Sequence, residues 1–115
     1  NTRKGKTSMA KGIMLVESRP SAPERDAEFN EWYESVHMPE VLALDGFVSA
    51  RRFRPVRPGE PYVAVYEIDA DDVTAAAKGV FAAAQSGAFN MSDSMQFDPP
   101  PAMRILELTA EQSAP

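Results

Sequence analysis

The sequence has no cysteine, one histidine (His37) and one tryptophan (Trp32) in 115 residues. Without cysteine there is no disulfide and no thiolate chemistry, and a cytoplasmic setting is the expectation. One histidine and no thiolate leave a zinc or other transition-metal site short of ligands, and haem would have only His37 as an axial ligand. No metal and no cofactor is expected. No apolar run is long enough to span a bilayer, and nothing resembles the apolar segment of a signal peptide. There is no P-loop, no Gly-x-Gly-x-x-Gly and no Gly-x-Ser-x-Gly. Basic charge is scarce as well. The formal net charge is -5, and Arg3, Lys4 and Lys6 lie among eight residues without an acid, so the rest of the chain is more acidic still. Such a body argues against nucleic acid or an anionic membrane as partner.

With 43% hydrophobic and 25% charged residues, the composition is that of one ordinary globular domain with a limited core. Residues 1–8 contain no apolar side chain and read as an expression scar or a disordered tail. The domain is expected over residues 9–110, with residues 111–115 a flexible polar tail.

Residues 12–17 (Gly-Ile-Met-Leu-Val-Glu) form an apolar run without alternation, which suits a strand buried on both faces. Pro20 and Pro23 break it. Glu24, Asp26 and Glu28 then place acids in the first turns of a helix. Pro39 disfavours helical geometry at Met38 and has no N–H to give, so that helix is expected to end at His37. A second short helix then runs from Pro39 to Leu44, closed by Asp45-Gly46. The next strand covers residues 47–54, with Phe47, Ser49, Arg51 and Phe53 on one face. A proline-rich turn over residues 55–61 leads to a strand over residues 62–68, with Tyr62, Ala64, Tyr66 and Ile68 on one face and Val63 and Val65 on the other.

Residues 69–86 read as an alanine-rich helix with Asp69 and Asp72 as capping acids and Gly87 as its stop. Its buried stripe is Val73, Ala77, Val80, Phe81 and Ala84. A long polar and proline-rich connection over residues 88–101 carries Phe89, Met91, Met95 and Phe97, and long connections in small domains often serve as lids. Residues 103–109 supply the last strand.

The order β-α-β-β-α-β predicts an α+β fold of the ferredoxin-like, split βαβ kind with a four-stranded antiparallel sheet. Two helices cover one face of such a sheet. The first, third and fourth strands are apolar on both faces, so a second copy of the sheet is the simplest cover for the other. A homodimer is expected.

The densest chemistry lies in residues 28–40. Phe29, Trp32, Tyr33 and Val36 fall at helical spacing on one stripe. Tyr33 and His37 are four residues apart, so phenol and imidazole are neighbours, and His37 is the one side chain that ordinarily titrates near neutrality. With that topology and the run Trp32-Tyr33-Glu34-Ser35-Val36-His37-Met38-Pro39-Glu40, the chain resembles the dimeric α+β barrel superfamily, in its EthD-like branch. Members of that branch carry an aromatic pair, three spacers and then His-x-Pro at the end of the first helix. In sequence the resemblance extends over residues 29–46. It implies a small apolar pocket between sheet and first helix, with the motif histidine at its edge.

On this reading the chain is a cofactor-independent enzyme of the lyase, isomerase or cyclase type, acting on a small aromatic or polyketide-like molecule. His37 is its general acid or base, and Tyr33 and Tyr66 are hydroxyls for an oxygen that gains charge. Trp32 and Phe29 are candidate walls of the site, and Tyr62 is a third pocket hydroxyl that contacts substrate. Arg51, or else its neighbour Arg52, is a clamp for a ligand carboxylate, since adjacent strand residues point to opposite faces. Phe89 and Phe97 belong to the lid. Each has a plainer alternative: His37 as a cap of helix-end carbonyls, the aromatics as core, the arginines as solvated. Two other functions fit the same residues, a non-catalytic dimeric binding protein for a small apolar metabolite and a cofactor-free monooxygenase.

Overall fold

Alternation decides the sheet. In β1 (Ala10–Ser18), Gly12, Met14, Val16 and Ser18 are buried while Lys11 and Glu17 are exposed. In β3 (Tyr62–Ala70), Tyr62, Ala64, Tyr66 and Ile68 are buried in the same rhythm. The computed structural model describes residues 10–115; the expectation for residues 1–8 lies outside the described residues. With β2 (Phe47–Phe53) and β4 (Ala102–Glu107) the strands make one four-stranded sheet in the order β2-β3-β1-β4, every neighbouring pair antiparallel. Helical segments lie between β1 and β2 and between β3 and β4. This is an α+β fold compatible with the ferredoxin-like arrangement. Residues 108–115 carry neither helix nor strand and are exposed.

The first helical region departs from expectation. It does not stop at His37. A 3-10 turn (Pro23–Arg25) leads into α1 (Asp26–Trp32), then a π-helical turn (Tyr33–His37), then α2 (Met38–Leu42), without interruption. Met38 keeps helical angles, φ −58° and ψ −46°, although Pro39 follows it. The π turn supplies the reason. Met38 donates to the carbonyl of Tyr33, five residues back, and the wider turn accommodates a ring that a regular α-turn rejects. Gly46, at φ +90°, then reverses the chain into β2. A side chain there would meet the Cβ of Ala76 at 3.0 Å.

The second departure is in β2. Between Phe47 and Ser49 the register against β3 slips, which marks a bulge. Phe47 faces the helices, but past the bulge the even residues Ala50 and Arg52 take that face, paired with Tyr66 and Ala64. Ser49, Arg51 and Phe53 point the other way, opposite to the strict alternation expected from Phe47 onward.

The third helix, α3 (Val73–Gln85), starts later than expected because β3 runs on through Ala70. Asp69 therefore belongs to a strand. Asp72 caps the helix, accepting from the backbone N–H of Thr74 at 2.9 Å and of Ala75 at 3.4 Å, and Gly87 ends it at φ +77°. The buried stripe is Val73, Ala77, Val80 and Ala83. Phe81 is 50% exposed and Ala84 is exposed, so neither joins the core.

One core lies between the helices and one face of the sheet, around Met14, Phe29, Tyr33, Val41, Phe47, Tyr66, Ile68 and Val73. Burying each such large side chain stabilises the fold by roughly 1.5–3 kcal/mol. On the opposite face Ile13, Leu15, Val63, Val65 and Leu106 form a half-buried band with no helix over it, through the cross-strand pairs Ile13–Leu106 and Leu15–Val65.

Candidate functional site

The π turn gathers the aromatic side chains of the first helical region. His37 stacks on Trp32, ring centres 5.0 Å apart and planes 21° from parallel. Its edge meets Tyr33 at 5.0 Å and Phe89, from the 86–101 connection, at 5.4 Å. The imidazole Nδ1 is buried without a hydrogen-bond partner. Burial pushes the His37 pKa below its usual 6.5, Glu40 opposes this and Arg52 adds to it. The ring is therefore neutral at pH 7, with no partner holding Nδ1. Because the helix continues past His37, the alternative of a helix-end cap has no free carbonyls to serve.

Tyr33 and Tyr66 are 1% and 0% exposed. The Tyr66 hydroxyl donates to that of Tyr33 at 3.4 Å. Burial raises the pKa of both phenols well above the ordinary value, so both stay protonated in any ordinary buffer. Phe29 packs edge-on against Tyr33 and Tyr62, each at 5.7 Å. The Tyr62 hydroxyl donates to Asp26 at 2.6 Å and accepts from the Asn30 amide at 3.2 Å.

Arg52 is the residue that strict alternation conceals. Through the bulge it enters the helix-covered face, its guanidinium carbon 4.9, 4.3 and 4.6 Å from the ring centres of Phe29, Tyr33 and Tyr62. Arg51 lies on the outer face, its guanidinium carbon 5.8 Å from the ring centre of Phe53, and does not join the cluster. Phe97, 49% exposed, has no ring contact with His37 or its neighbours. His37, Tyr33, Tyr66, Trp32, Phe29, Tyr62 and Phe89 are all brought together. Ser18, Asn30 and Asp26 are additional polar members; Ser18 is buried and hydrogen-bonds to Tyr33. Asp26 and Asn30 stand at helical spacing and bond to each other at 3.2 Å, but their links to Tyr62, and that of Ser18 to Tyr33, join distant segments that no spacing marks.

The 86–101 connection is clasped over this cluster. Trp32 Nε1 donates to the Asn90 carbonyl at 2.7 Å, and the Glu40 carboxylate accepts from the Asn90 backbone at 3.1 Å and its side-chain amide at 2.7 Å. Glu40 is thus engaged with Asn90 and does not orient His37 by a hydrogen bond. Farther along, Arg25 bridges to Asp93 at 2.8 Å, and the Ser21 N–H donates to the Ser94 carbonyl at 2.7 Å.

The space between the first helix and the sheet, where an apolar pocket is expected, is filled by Phe29, Tyr33, Tyr66 and the Arg52 stem. Open clefts lie elsewhere. One of about 650 Å³ separates the 54–61 hairpin loop from residues 19–23, and one of about 400 Å³ lies beside Ile13, Glu67 and Leu106. A smaller one, about 120 Å³, is lined by Asn30, Glu34, Arg52, Phe53, Arg54 and Tyr62. Among the described residues no group of three or more His, Asp or Glu is arranged to hold a metal ion, and no helix is long and apolar enough to cross a membrane.

No protein-family model, curated protein or solved structure matches the chain.

Proposed function

We propose that the chain is a cofactor-independent enzyme of the lyase, isomerase or cyclase type, of the dimeric α+β barrel kind and its EthD-like branch. Its substrate is a small aromatic or polyketide-like molecule. The observation that carries the reading is the neutral His37, with a buried and unpartnered Nδ1, set among Trp32, Tyr33 and Phe89. A neutral imidazole in a dry aromatic box is a competent general base. It takes a proton from a carbon next to a substrate carbonyl, and the resulting enolate oxygen meets a phenol O–H of Tyr33 or Tyr66, which stays protonated. The imidazolium then returns the proton at another atom. Trp32 and Phe29 form the flat walls. Since the interior is filled, substrate enters by displacing Phe89 as the 86–101 connection yields, and that connection excludes water when it closes again. The bare apolar band on the outer sheet face supports a homodimer, sheet against sheet.

One observation favours a second reading, a non-catalytic dimeric binding protein for a small apolar metabolite. The Tyr33 and Tyr66 hydroxyls are engaged with each other and sealed from solvent. A binding protein tolerates this, whereas an enzyme must break the pair to use it.

His37→Ala separates the two. Wild type and variant are assayed with a panel of phenolic and polyketide acids, for turnover and for affinity. Enzymatic function predicts turnover lost with affinity largely kept. Undiminished turnover in the variant defeats the assignment of His37, and tight binding without turnover by either protein favours the binding protein.

A further inference from the structure

The guanidinium of Arg52 is only half paired. Its Nη1 donates to Asn30 Oδ1 at 2.6 Å and to Glu34 Oε2 at 3.2 Å, whereas Nε and Nη2 are buried and have no partner. The side chain is 6% exposed. The two idle donors are neighbours on one edge of the planar group, the edge that offers two parallel N–H bonds to a carboxylate. The rings of Phe29, Tyr33 and Tyr62 close round the cation and fix its plane. Buried polar groups are ordinarily hydrogen-bonded, and a buried charge lacking partners is costly. An unused two-donor edge in an aromatic box is therefore a place where an acceptor binds once the rings make room.

The way in is adjacent. Arg52 lines the small cleft with Asn30, Phe53, Arg54 and Tyr62, and Arg54 and Tyr62 also line the larger cleft under the hairpin loop. Arg54 adds a second positive charge at the mouth, set against Glu34 in the small cleft and Asp26 and Glu60 in the larger one. Glu34 shares Nη1 and leaves the free edge alone, so an incoming anion need not displace it.

We propose that Arg52 is an anion-recognition residue, its Nε–Nη2 edge receiving the carboxylate of a small aromatic acid that enters between β2 and the first helix. The ring of the acid packs against Phe29 and Tyr62. The free edge is shielded from water in the unliganded chain, so seating the carboxylate requires these rings to rotate. This site does not depend on His37 acting as a base, because it is read by binding and not by turnover.

The test is a titration of the full chain at pH 7 with benzoate, with its neutral analogue benzamide and with inorganic phosphate, followed by NMR of the Arg52 Nε–H and the Tyr62 ring. Benzoate should shift both resonances to saturation, and benzamide and phosphate should not. Arg52→Lys keeps the charge but loses the bidentate edge, and should weaken benzoate binding about tenfold or more; Arg52→Gln should abolish it. If Arg52→Gln does not fold, the wild-type Nε–H response and Arg52→Lys decide. Equal responses to benzoate and benzamide, a response to phosphate instead of benzoate, unchanged affinity in Arg52→Lys, or no change at the Arg52 Nε–H at millimolar benzoate would overturn the proposal.

Discussion

The imidazole of His37 lies on the indole of Trp32, ring centres 5.0 Å apart and nearly parallel, so the one tryptophan of the chain reports on its one histidine. Burial lowers the His37 pKa. A folded-state pKa below the unfolded value means that the unfolded chain binds more protons. The stability from neutral His37 is then complete above the usual 6.5 and declines as pH falls through 6.5 toward the folded pKa. Tryptophan fluorescence should be quenched on acidification with a midpoint below 6.5, and thermal stability should fall in that window. In His37→Phe both changes should vanish. A quenching midpoint above 6.5 would contradict the buried, neutral imidazole.

The Tyr33–Tyr66 pair tests how sealed the interior is. Tyr66→Phe leaves the Tyr33 hydroxyl with Ser18 alone, Tyr33→Phe takes a partner from both Tyr66 and Ser18, and each should cost about 1 kcal/mol. The double variant should cost less than the two together, because the Tyr33–Tyr66 hydrogen bond is then lost only once. Urea unfolding of the four proteins gives the coupling, and strict additivity would mean that the hydroxyls do not interact.

Burial also separates two phenylalanines that helical spacing assigns to apolar stripes. Phe29 is 0% exposed and Phe81 50% exposed. Phe29→Ala should destabilise by about 3–5 kcal/mol through lost contacts and a cavity. Phe81→Ala should stay within about 0.5 kcal/mol. Denaturant midpoints check both.

The clasp on the 86–101 connection rests on Asn90. Glu40→Ala removes the carboxylate that accepts from the Asn90 backbone and amide, and should speed proteolysis within residues 86–96 while global unfolding changes little. Cleavage at the wild-type rate would show that other contacts hold the segment.

If the outer sheet face joins two copies, Val65→Glu should give monomers in analytical ultracentrifugation, with the far-UV circular dichroism of the wild type. Val65 is central on that face, opposite Leu15 and Arg51, and a charge there meets its symmetry-related copy across a desolvated contact. Dimers that persist in this variant would place the interface elsewhere.

Much of this protein is decided by short-range pattern. Alternation in β3, the Asp72 cap, the stops at Gly46 and Gly87, and the approach of Tyr33 and His37 one helical turn apart all depend on residues a few positions apart, and a linear reading finds them. Three features escape a linear reading, the last two because their partners lie far along the chain. The helix passes through Pro39 because a π turn absorbs it, although local propensity says stop. A bulge opposite β3 sends Arg52, not Arg51, under the first helix, since strand parity belongs to the pairing and not to the single strand. Glu40 takes Asn90, fifty residues away. Local backbone preferences set which elements form; the pairing of distant elements, which carries the larger energy, decided which side chains the site contains.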